Sequence, residues 1–225
     1  MLRRQTSAVV DGRLLLELGH DGVRAAMDLT AVEAVLVTHG HPDHHALPAW
    51  MWRGWSRTNR PLTLVGPPAV VAAARAAVDP TVQLVEVRAG DRLQVAGYDV
   101  RVVPATHAGP EIGPAVLYDL TGRDSARLLW GTDTGVLSEQ ALQLVAGRAY
   151  DLVLLDLTSA HLPVHHDLAS WPVQVAELRR VGAVVEATDV CAIHLGHDNP
   201  PDLDDVLAGW GARAPRDGDV LEVGR

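Results

Sequence analysis

The sequence contains no lysine, a single cysteine and no long apolar run. All 19 basic residues among its 225 are arginines, which excludes a phosphate-binding P-loop lysine and any lysine Schiff base. The single cysteine, Cys191, excludes an internal disulfide and fits a reducing compartment. No apolar stretch reaches the roughly 18 residues that a membrane-spanning helix needs, and no signal peptide follows the charged start. We therefore predict a cytoplasmic protein with no membrane partner.

Net charge and length further limit the partners and the domain organisation that the chain can have. The formal net charge of −9 at pH 7 disfavours a large nucleic-acid partner, because such a partner requires a basic face. Nearly half of the residues are apolar, which is enough for a large core. With no repeat, low-complexity tract or linker, residues 1–225 are predicted to form a single domain. The sequence leaves the oligomeric state open, with a homodimer as one option.

Short apolar strands alternate with helical patterns along the chain. Helices are predicted over 68–77, 138–145 and 169–181. Strands are predicted over 7–10, 13–17, 34–37, 62–65, 82–87, 98–103, 115–120, 127–130, 152–157 and 191–194. Two of the connections resemble β-hairpins that turn at Gly97 and Gly122. This mixture predicts an α/β fold in which helices cover the sheets.

The segment "THGHPDHH" directly follows the predicted strand 34–37. Its imidazoles and its one carboxylate are ligands that suit Zn²⁺, Mn²⁺ or Fe²⁺. His39 and His41 are two residues apart, so extended backbone directs both side chains the same way. Asp43 and His44 fall on the next turn and can face a second ion. The pattern therefore predicts metal binding rather than a polar surface loop.

Three more candidate ligands follow apolar strands later in the chain. They are His107 after "VRVVPAT", Asp133 in "GTDTG" and His194 in "AIHLGH". Each one alone is typical of an ordinary polar turn residue. As a series after the histidine-rich segment, they are predicted to complete two metal sites that one loop cannot close.

In this order of motifs the sequence resembles the metallo-β-lactamase superfamily over most of its length. The resemblance implies a four-layer αββα sandwich, here without the usual first strand before Leu2, and two divalent ions per chain, zinc being the first candidate. It assigns His39, His41 and His107 to one ion, and Asp43, His44 and His194 to the other, with Asp133 bridging them. A water or hydroxide between the ions would be the nucleophile, and Asp43 is counted among the catalytic residues.

Within that superfamily, several segments resemble the phosphodiesterase branch, which includes tRNA 3′-processing endonucleases and the cyclic ribose-phosphate phosphodiesterase of phosphonate breakdown. "HHDL" is similar to a motif whose histidine assists at the phosphate, which makes His165, rather than His166, the expected proton donor or phosphate contact. "IHLGH" places His197 near the substrate. One cysteine cannot build the extra structural zinc site of that family, and Glu17 stands where a smaller acidic residue is usual.

The substrate expected from this resemblance is a small or cyclic nucleotide-type phosphodiester. Arg53 and Arg57 are candidate phosphate contacts, because a guanidinium binds phosphate through paired hydrogen bonds. The neighbouring Trp50, Trp52 and Trp55 either stack on a flat substrate group or belong to the core.

Three other functions remain open at this point. The same two-metal site would hydrolyse a thioester, a lactone or an amide. A tRNA-processing enzyme would need a long basic arm, which the chain lacks. A metal-binding protein without turnover, a class apart from the enzymes, would be indicated by a damaged ligand set, but all seven predicted ligands are present.

Overall fold

Two β-sheets lie face to face at the centre of the computed structural model, which describes residues 4–21, 32–55, 60–159 and 163–224. The first sheet has the strand order β1-β2-β3-β4-β5. Its strands are β1 (Ala8–Val10), β2 (Leu14–Leu16), β3 (Ala34–Leu36), β4 (Leu62–Gly66) and β5 (Val82–Glu86). β1 and β2 are antiparallel, and the pairs from β2 to β5 are parallel.

The second sheet has the strand order β11-β10-β9-β8-β7-β6. Its strands are β6 (Arg92–Val95), β7 (Tyr98–Gly109), β8 (Gly113–Thr121), β9 (Arg127–Gly131), β10 (Leu152–Asp156) and β11 (Asp189–Ile193). The pairs from β6 to β9 are antiparallel, whereas β9, β10 and β11 run parallel. The two hairpins expected at Gly97 and Gly122 are confirmed by the β6–β7 and β8–β9 pairings.

Helices cover the outer face of each sheet. α1 (Leu47–Gly54) and α2 (Pro68–Ala74) pack on the first sheet, whereas α3 (Glu139–Val145), α4 (Ser170–Arg180) and α5 (Leu203–Gly209) pack on the second. The predicted α/β class and its αββα layering are therefore confirmed. Among the described residues, no helix is both long and apolar enough to cross a membrane.

The alternation of side chains along each strand explains why the strands are apolar on both faces. In β2, Leu14 and Leu16 enter the core between the sheets, whereas Leu15 enters the core under α1 and α2. In β9, Leu129 faces the helices while Trp130 faces the other sheet. Successive residues point to opposite faces of a sheet, so a strand that is covered twice needs a continuous apolar run.

Two helices and the end of β7 differ most from the sequence prediction. α1 and α5 were not predicted, because each is short and α1 contains Pro48 within an aromatic stretch. β7 runs on to Gly109 beyond the predicted end at 103, with a register shift between Pro104 and Ala108. His107 therefore lies in a β-bulge inside the strand rather than after it, and a bulge redirects a side chain without ending the strand.

The ends of several strands meet at one edge of the sandwich. β2 and β3 are parallel in the first sheet, and β9, β10 and β11 are parallel in the second, so their carboxyl ends lie on the same side of each sheet. In α/β sheets, ligands bind beyond this edge. The polar residues that directly follow or end these strands are thereby brought together.

Candidate metal centre

The seven predicted ligands form two adjoining groups at this edge. His39, His41, His107 and Asp133 make one group, and Asp43, His44 and His194 make the other; within each group, one ligand atom per residue lies within 4.8 Å of all the others. Both groups draw on loops of both sheets. The predicted division of the ligands between two ions thus corresponds to two spatial groups.

Imidazole nitrogens converge in the first group. His39 Nε2 lies 2.8 Å from His41 Nδ1, and His107 Nε2 lies 3.3 Å from the same His41 atom. Asp133 Oδ2 lies 3.6 Å from His39 Nε2. Ligands placed tetrahedrally at about 2.0–2.1 Å from a zinc ion are about 3.4 Å apart, so this spacing fits one ion held by four donors.

The second group has similar spacing. His44 Nε2 lies 3.2 Å from both His194 Nε2 and Asp43 Oδ2, and His194 Nε2 lies 3.3 Å from Asp43 Oδ2. The other oxygen of Asp133, Oδ1, is 3.3 Å from His44 Nε2 and 3.2 Å from His194 Nε2. Asp133 therefore presents one carboxylate oxygen to each group, which is the position that a bridging ligand occupies.

Oxygen atoms hold the outer nitrogens of the imidazoles in the first group. Nδ1 of His39 lies 3.0 Å from the hydroxyl of Thr38, and Nδ1 of His107 lies 3.3 Å from the carbonyl of Val164. Metal-binding histidines commonly have such a partner, because it fixes the ring orientation and leaves the other nitrogen for the ion.

Glu17 lies beneath His44, although its carboxylate is beyond hydrogen-bonding distance of that imidazole. Its carboxylate is fully buried, accepts hydrogen bonds from the Thr38 amide at 3.2 Å and the Trp130 indole at 3.1 Å, and lies 3.6 Å from Nδ1 of His44. Its backbone has a φ of 61°, a left-handed conformation that is uncommon outside glycine. The larger acidic residue at this position thus still reaches the metal-binding loop.

The charges in the two groups depend on each other. Burial disfavours an ionised Asp133, but the neighbouring His44 outweighs this and holds the pKa of the carboxyl well below its usual range. Burial likewise opposes the ionisation of Asp43, whose pKa is nevertheless lowered by hydrogen bonds with His194 and His44. By contrast, burial and nearby His44 lower the pKa of His39 to about 2. Burial disfavours the charged forms of His44 and His194, but the same carboxylates outweigh it and raise the pKa of both imidazoles. The site therefore combines ionised carboxylates and a neutral His39, two donor types that a divalent ion uses, with two imidazoles that must lose a proton when an ion binds.

His165 lies against both groups. Its ring is parallel to that of His194, with 5.8 Å between centroids, and 4.9 Å from that of His107. His166 instead is fully buried, its Nδ1 lies 3.3 Å from the Ser170 hydroxyl, and burial lowers its pKa to about 4. Of the two adjacent histidines, it is therefore His165 that borders the site.

Asp156 is a further carboxylate at the site and was not predicted from the sequence. This carboxylate ends β10, is fully buried and lies 2.7 Å from Nδ1 of His165. It also belongs to a third group of potential ligands with Asp133, His165 and His194. The signal was present in "LVLLD", because a charged residue that ends an apolar strand is the pattern that identified the other candidates.

The predicted substrate contacts lie in different surroundings from the predicted metal ligands. Arg53 is buried, and its guanidinium donates hydrogen bonds to Asp79, to Thr81 and to the carbonyl of Arg60. It thus ties α1 to the loop before β5, and this position does not support the predicted phosphate contact. Arg57 lies outside the described residues. His197 is exposed, and its role stays a prediction.

The tryptophans of α1 divide between the core and the surface. Trp50 is fully buried and donates a hydrogen bond from Nε1 to His45 Nε2 at 3.0 Å. Trp52 and Trp55 are exposed by 53% and 75%. Stacking on a substrate is therefore ruled out for Trp50 and remains open for the other two.

Comparisons with known proteins identify the fold and the family. No curated protein sequence matches the chain significantly. The metallo-β-lactamase fold protein YhfI of Bacillus subtilis superposes with a TM-score of 0.73 at 14% identity, over 96% of this chain and 90% of its own. A diphosphatase of the PhnP family superposes with a TM-score of 0.72 at 19% identity, over 97% of this chain and 83% of its own. An isothiocyanate hydrolase from Delia radicum gut bacteria superposes with a TM-score of 0.69 at 16% identity, over 99% of this chain and 98% of its own.

At these identities the structural neighbours establish the fold, and their different substrates establish that it serves more than one hydrolysis. The sequence itself matches the family model described as the beta-lactamase superfamily domain over residues 8–195. That match covers most of the chain and includes every predicted metal ligand. The superfamily suggested by the histidine-rich segment is confirmed, and the chain belongs to the metallo-β-lactamase superfamily.

Proposed function

We propose that this protein is a two-metal phosphodiesterase that hydrolyses a small or cyclic nucleotide-type phosphodiester. The observation that carries the proposal is the position of His165, which borders both ligand groups while its Nδ1 is held by Asp156. A hydrolase that expels an alkoxide benefits from a proton donor beside its metals. The proposal therefore rests on what stands next to the ligands rather than on the ligands alone.

In this proposal His39, His41 and His107 hold one ion, Asp43, His44 and His194 hold the other, and Asp133 contributes an oxygen to each. Zinc is the first candidate because the donors are mainly imidazoles, with Mn²⁺ and Fe²⁺ as alternatives. Two divalent ions supply a lowered pKa for bound water and neutralise the charge of the phosphoryl oxygens.

Two side chains on the open side of the site are proposed to act on the reacting groups. The side chain of Asp43 is 37% exposed, whereas His44 beside it is fully buried. Asp43 can therefore accept a hydrogen bond from the attacking water as well as bind an ion. The side chain of His165 is 11% exposed, and with Nδ1 held by Asp156 its Nε2 is the atom left to protonate the leaving oxygen.

Turnover of a substrate panel by the metal-loaded protein tests this function. The panel contains bis(p-nitrophenyl) phosphate, 2′,3′-cyclic nucleotides, p-nitrophenyl phosphate, a lactone and a thioester. We expect faster cleavage of the diesters than of the monoester, the lactone or the thioester. Asp133→Ala, purified identically, is the control for contaminating hydrolases and should be inactive.

Hydrolysis of a thioester, lactone or amide is the alternative for the same metal site. A strong thioesterase or lactonase rate without diesterase activity would transfer the assignment to that class. Full metal occupancy with no turnover of any panel member would instead favour a metal-binding protein that is not an enzyme.

A further inference from the structure

Asp156 is a fully buried carboxylate with four hydrogen-bond donors around it. Its Oδ2 accepts from the Thr134 amide at 3.0 Å and lies 2.7 Å from His165 Nδ1. Its Oδ1 accepts from both the amide and the hydroxyl of Thr158, at 2.8 and 2.7 Å. These donors belong to three different loops, so one carboxylate connects much of the site.

The contact with His165 determines which nitrogen of that ring carries the hydrogen. An ionised carboxylate can only accept hydrogen bonds. The 2.7 Å contact therefore requires a hydrogen on Nδ1 of His165. In the neutral ring, Nε2 is then left with its lone pair, directed away from Asp156, and a proton for the leaving oxygen must first be taken up at this nitrogen from the attacking water or from solvent.

The contact with Thr158 extends the same logic to a proposed metal ligand. The Thr158 hydroxyl has one hydrogen, and the short contact with Asp156 takes it in preference to the carbonyl of His194, which lies farther away at 3.1 Å. Towards Nδ1 of His194, 2.8 Å away, the hydroxyl oxygen can then only accept. Nδ1 of His194 must therefore carry a hydrogen, which leaves Nε2, the nitrogen beside Asp43 and Asp133, as the atom that would bind an ion.

We propose that Asp156 is a positioning residue that fixes the tautomers of both His165 and His194, directly in the first case and through Thr158 in the second. The roles of the two imidazoles as proton donor and metal ligand rest on the proposed function. Asp156 thereby couples proton donation to metal binding, although it touches neither substrate nor ion. The amide of Thr134, next to Asp133, anchors the bridging loop to the same group.

Three substitutions separate the direct contact of Asp156 with His165 from its contact, through Thr158, with His194. Asp156→Asn presents an amide nitrogen either to His165 or to Thr158, so at least one of the two imidazoles loses its fixed tautomer. We expect zinc affinity to fall by about 10–100-fold, the usual effect of losing such a partner, and turnover to fall as well. Thr158→Val removes the hydroxyl contact with His194 and a longer one, 3.2 Å, with Nδ1 of His165. It leaves the direct contact between His165 and Asp156, so zinc affinity should fall while the His165 tautomer is retained. Thr158→Ser keeps the hydroxyl and should restore wild-type zinc affinity.

Asp119→Asn is the matched control. Asp119 is also a fully buried aspartate, but it is bound by Arg148 rather than by a residue of the site. Its replacement should lower thermal stability and leave zinc affinity and both tautomers unchanged.

The tautomers can be measured without substrate. In the metal-free full-length protein labelled with ¹⁵N-histidine, long-range ¹H–¹⁵N spectra distinguish protonated from bare ring nitrogens. His165→Gln and His194→Gln assign the signals. We expect a protonated Nδ1 on both residues in the wild type, and a population with a bare Nδ1 on at least one of them in Asp156→Asn.

A bare Nδ1 on either ring of the wild type, or unchanged zinc affinity in both Asp156→Asn and Thr158→Val, would overturn the proposal. If Asp156→Asn does not fold, the wild-type spectra and the Thr158 pair still decide the matter. Neither measurement involves turnover. A protein that passes both and cleaves no phosphodiester would keep Asp156 as a positioning residue and refute only the proposed function.

Discussion

Asp133 and His165 offer ligand atoms within 4.8 Å of each other, yet single substitutions should separate their roles. Asp133 directs an oxygen to each ligand group, whereas His165 directs its Nδ1 to Asp156. Replacing Asp133 should lower the metal content, and replacing His165 should remove the proton donor. Residue-scale experiments can therefore distinguish a ligand from a proton donor in a crowded site.

Asp133→Ala should lower the metal content of the protein. Wild type should bind two ions per chain, and the variant no more than one at comparable affinity, because both groups lose an anionic donor. Elemental analysis of metal-replete, desalted protein measures this. Asp204→Ala is the control, because it removes an exposed carboxylate of α5 and the same charge without touching the site. Finding at most one ion in the wild type would refute the two-metal proposal.

His165→Ala should retain both ions but lose turnover. If His165 protonates the leaving oxygen, the rate should fall by roughly 10²–10⁴, the usual contribution of general acid catalysis. The loss should be largest for a ribose hydroxyl and smallest for p-nitrophenolate, which leaves without a proton. Single-turnover rates with the two kinds of leaving group measure the difference.

His166→Ala is the control for that experiment. His166 is fully buried and adjacent to His165, so its loss should reduce stability more than the rate of the chemical step. Loss of metal in His165→Ala would make His165 a ligand, as its place in the third ligand group allows. A loss that is equal for all leaving groups would make it a phosphate contact, and His197 would become the next candidate for the proton donor.

At the scale of elements, the sequence predicted strands better than it predicted the placement of single side chains. Strands buried on both faces are continuous apolar runs, and the polar residues that follow them identified the site. α5 is only seven residues long, too short for a helical period to stand out. The bulge that redirects His107 and the pairing of Arg53 with Asp79 depend on contacts between distant segments, which no local pattern contains.

Two of the loops that carry ligands pack closely against neighbouring backbone at a glycine. A Cβ on Gly196 would lie 2.1 Å from the carbonyl oxygen of Thr158, and one on Gly135 would lie 2.1 Å from that of Pro163. Neither contact can be relieved by a side-chain rotation, because the obstructing atom is backbone. These close approaches position the loops of His194 and Asp133 against their neighbours.

Gly196→Ala should therefore displace the loop that carries His194. We expect a loss of stability of about 1–3 kcal/mol, typical of overpacking, together with weaker binding at the ion that His194 helps to hold. Gly209→Ala is the control, because a Cβ there meets nothing within 4 Å and alanine favours a helix over glycine by up to about 1 kcal/mol. Denaturant unfolding and zinc titration measure both effects. Wild-type zinc binding in Gly196→Ala would contradict this account of the loop.

At the scale of the whole molecule, the candidate metal centre joins the two sheets. His39, His41, Asp43 and His44 follow β3 of the first sheet, whereas His107, Asp133 and His194 come from β7, β9 and β11 of the second. Away from this edge, apolar side chains between the sheets supply the contact. Because each ligand group includes residues from both sheets, bound ions should stabilise the pairing of the sheets as well as serve the reaction.

Removing the metal should therefore lower the melting temperature. A ligand present at 100 times its Kd stabilises the folded state by about 2.7 kcal/mol per site, and about 1 kcal/mol corresponds to roughly 2–4 °C in a protein of this size. We expect the chelated, dialysed protein to unfold at least about 5 °C below the zinc-loaded form.

Alkylation of Cys191 provides a second measure of the same effect. This thiol lies on β11, is fully buried, and burial raises its pKa to about 12, so it reacts only when the second sheet opens. Its labelling in the chelated protein should be faster than in the zinc-loaded form, and Asp133→Ala should show a smaller difference between the two conditions. If chelation changes neither the melting temperature nor the labelling rate of the wild type, the ions do not hold the sheets together. The apolar core between the sheets would then be sufficient on its own, and the ligand groups would serve the reaction alone.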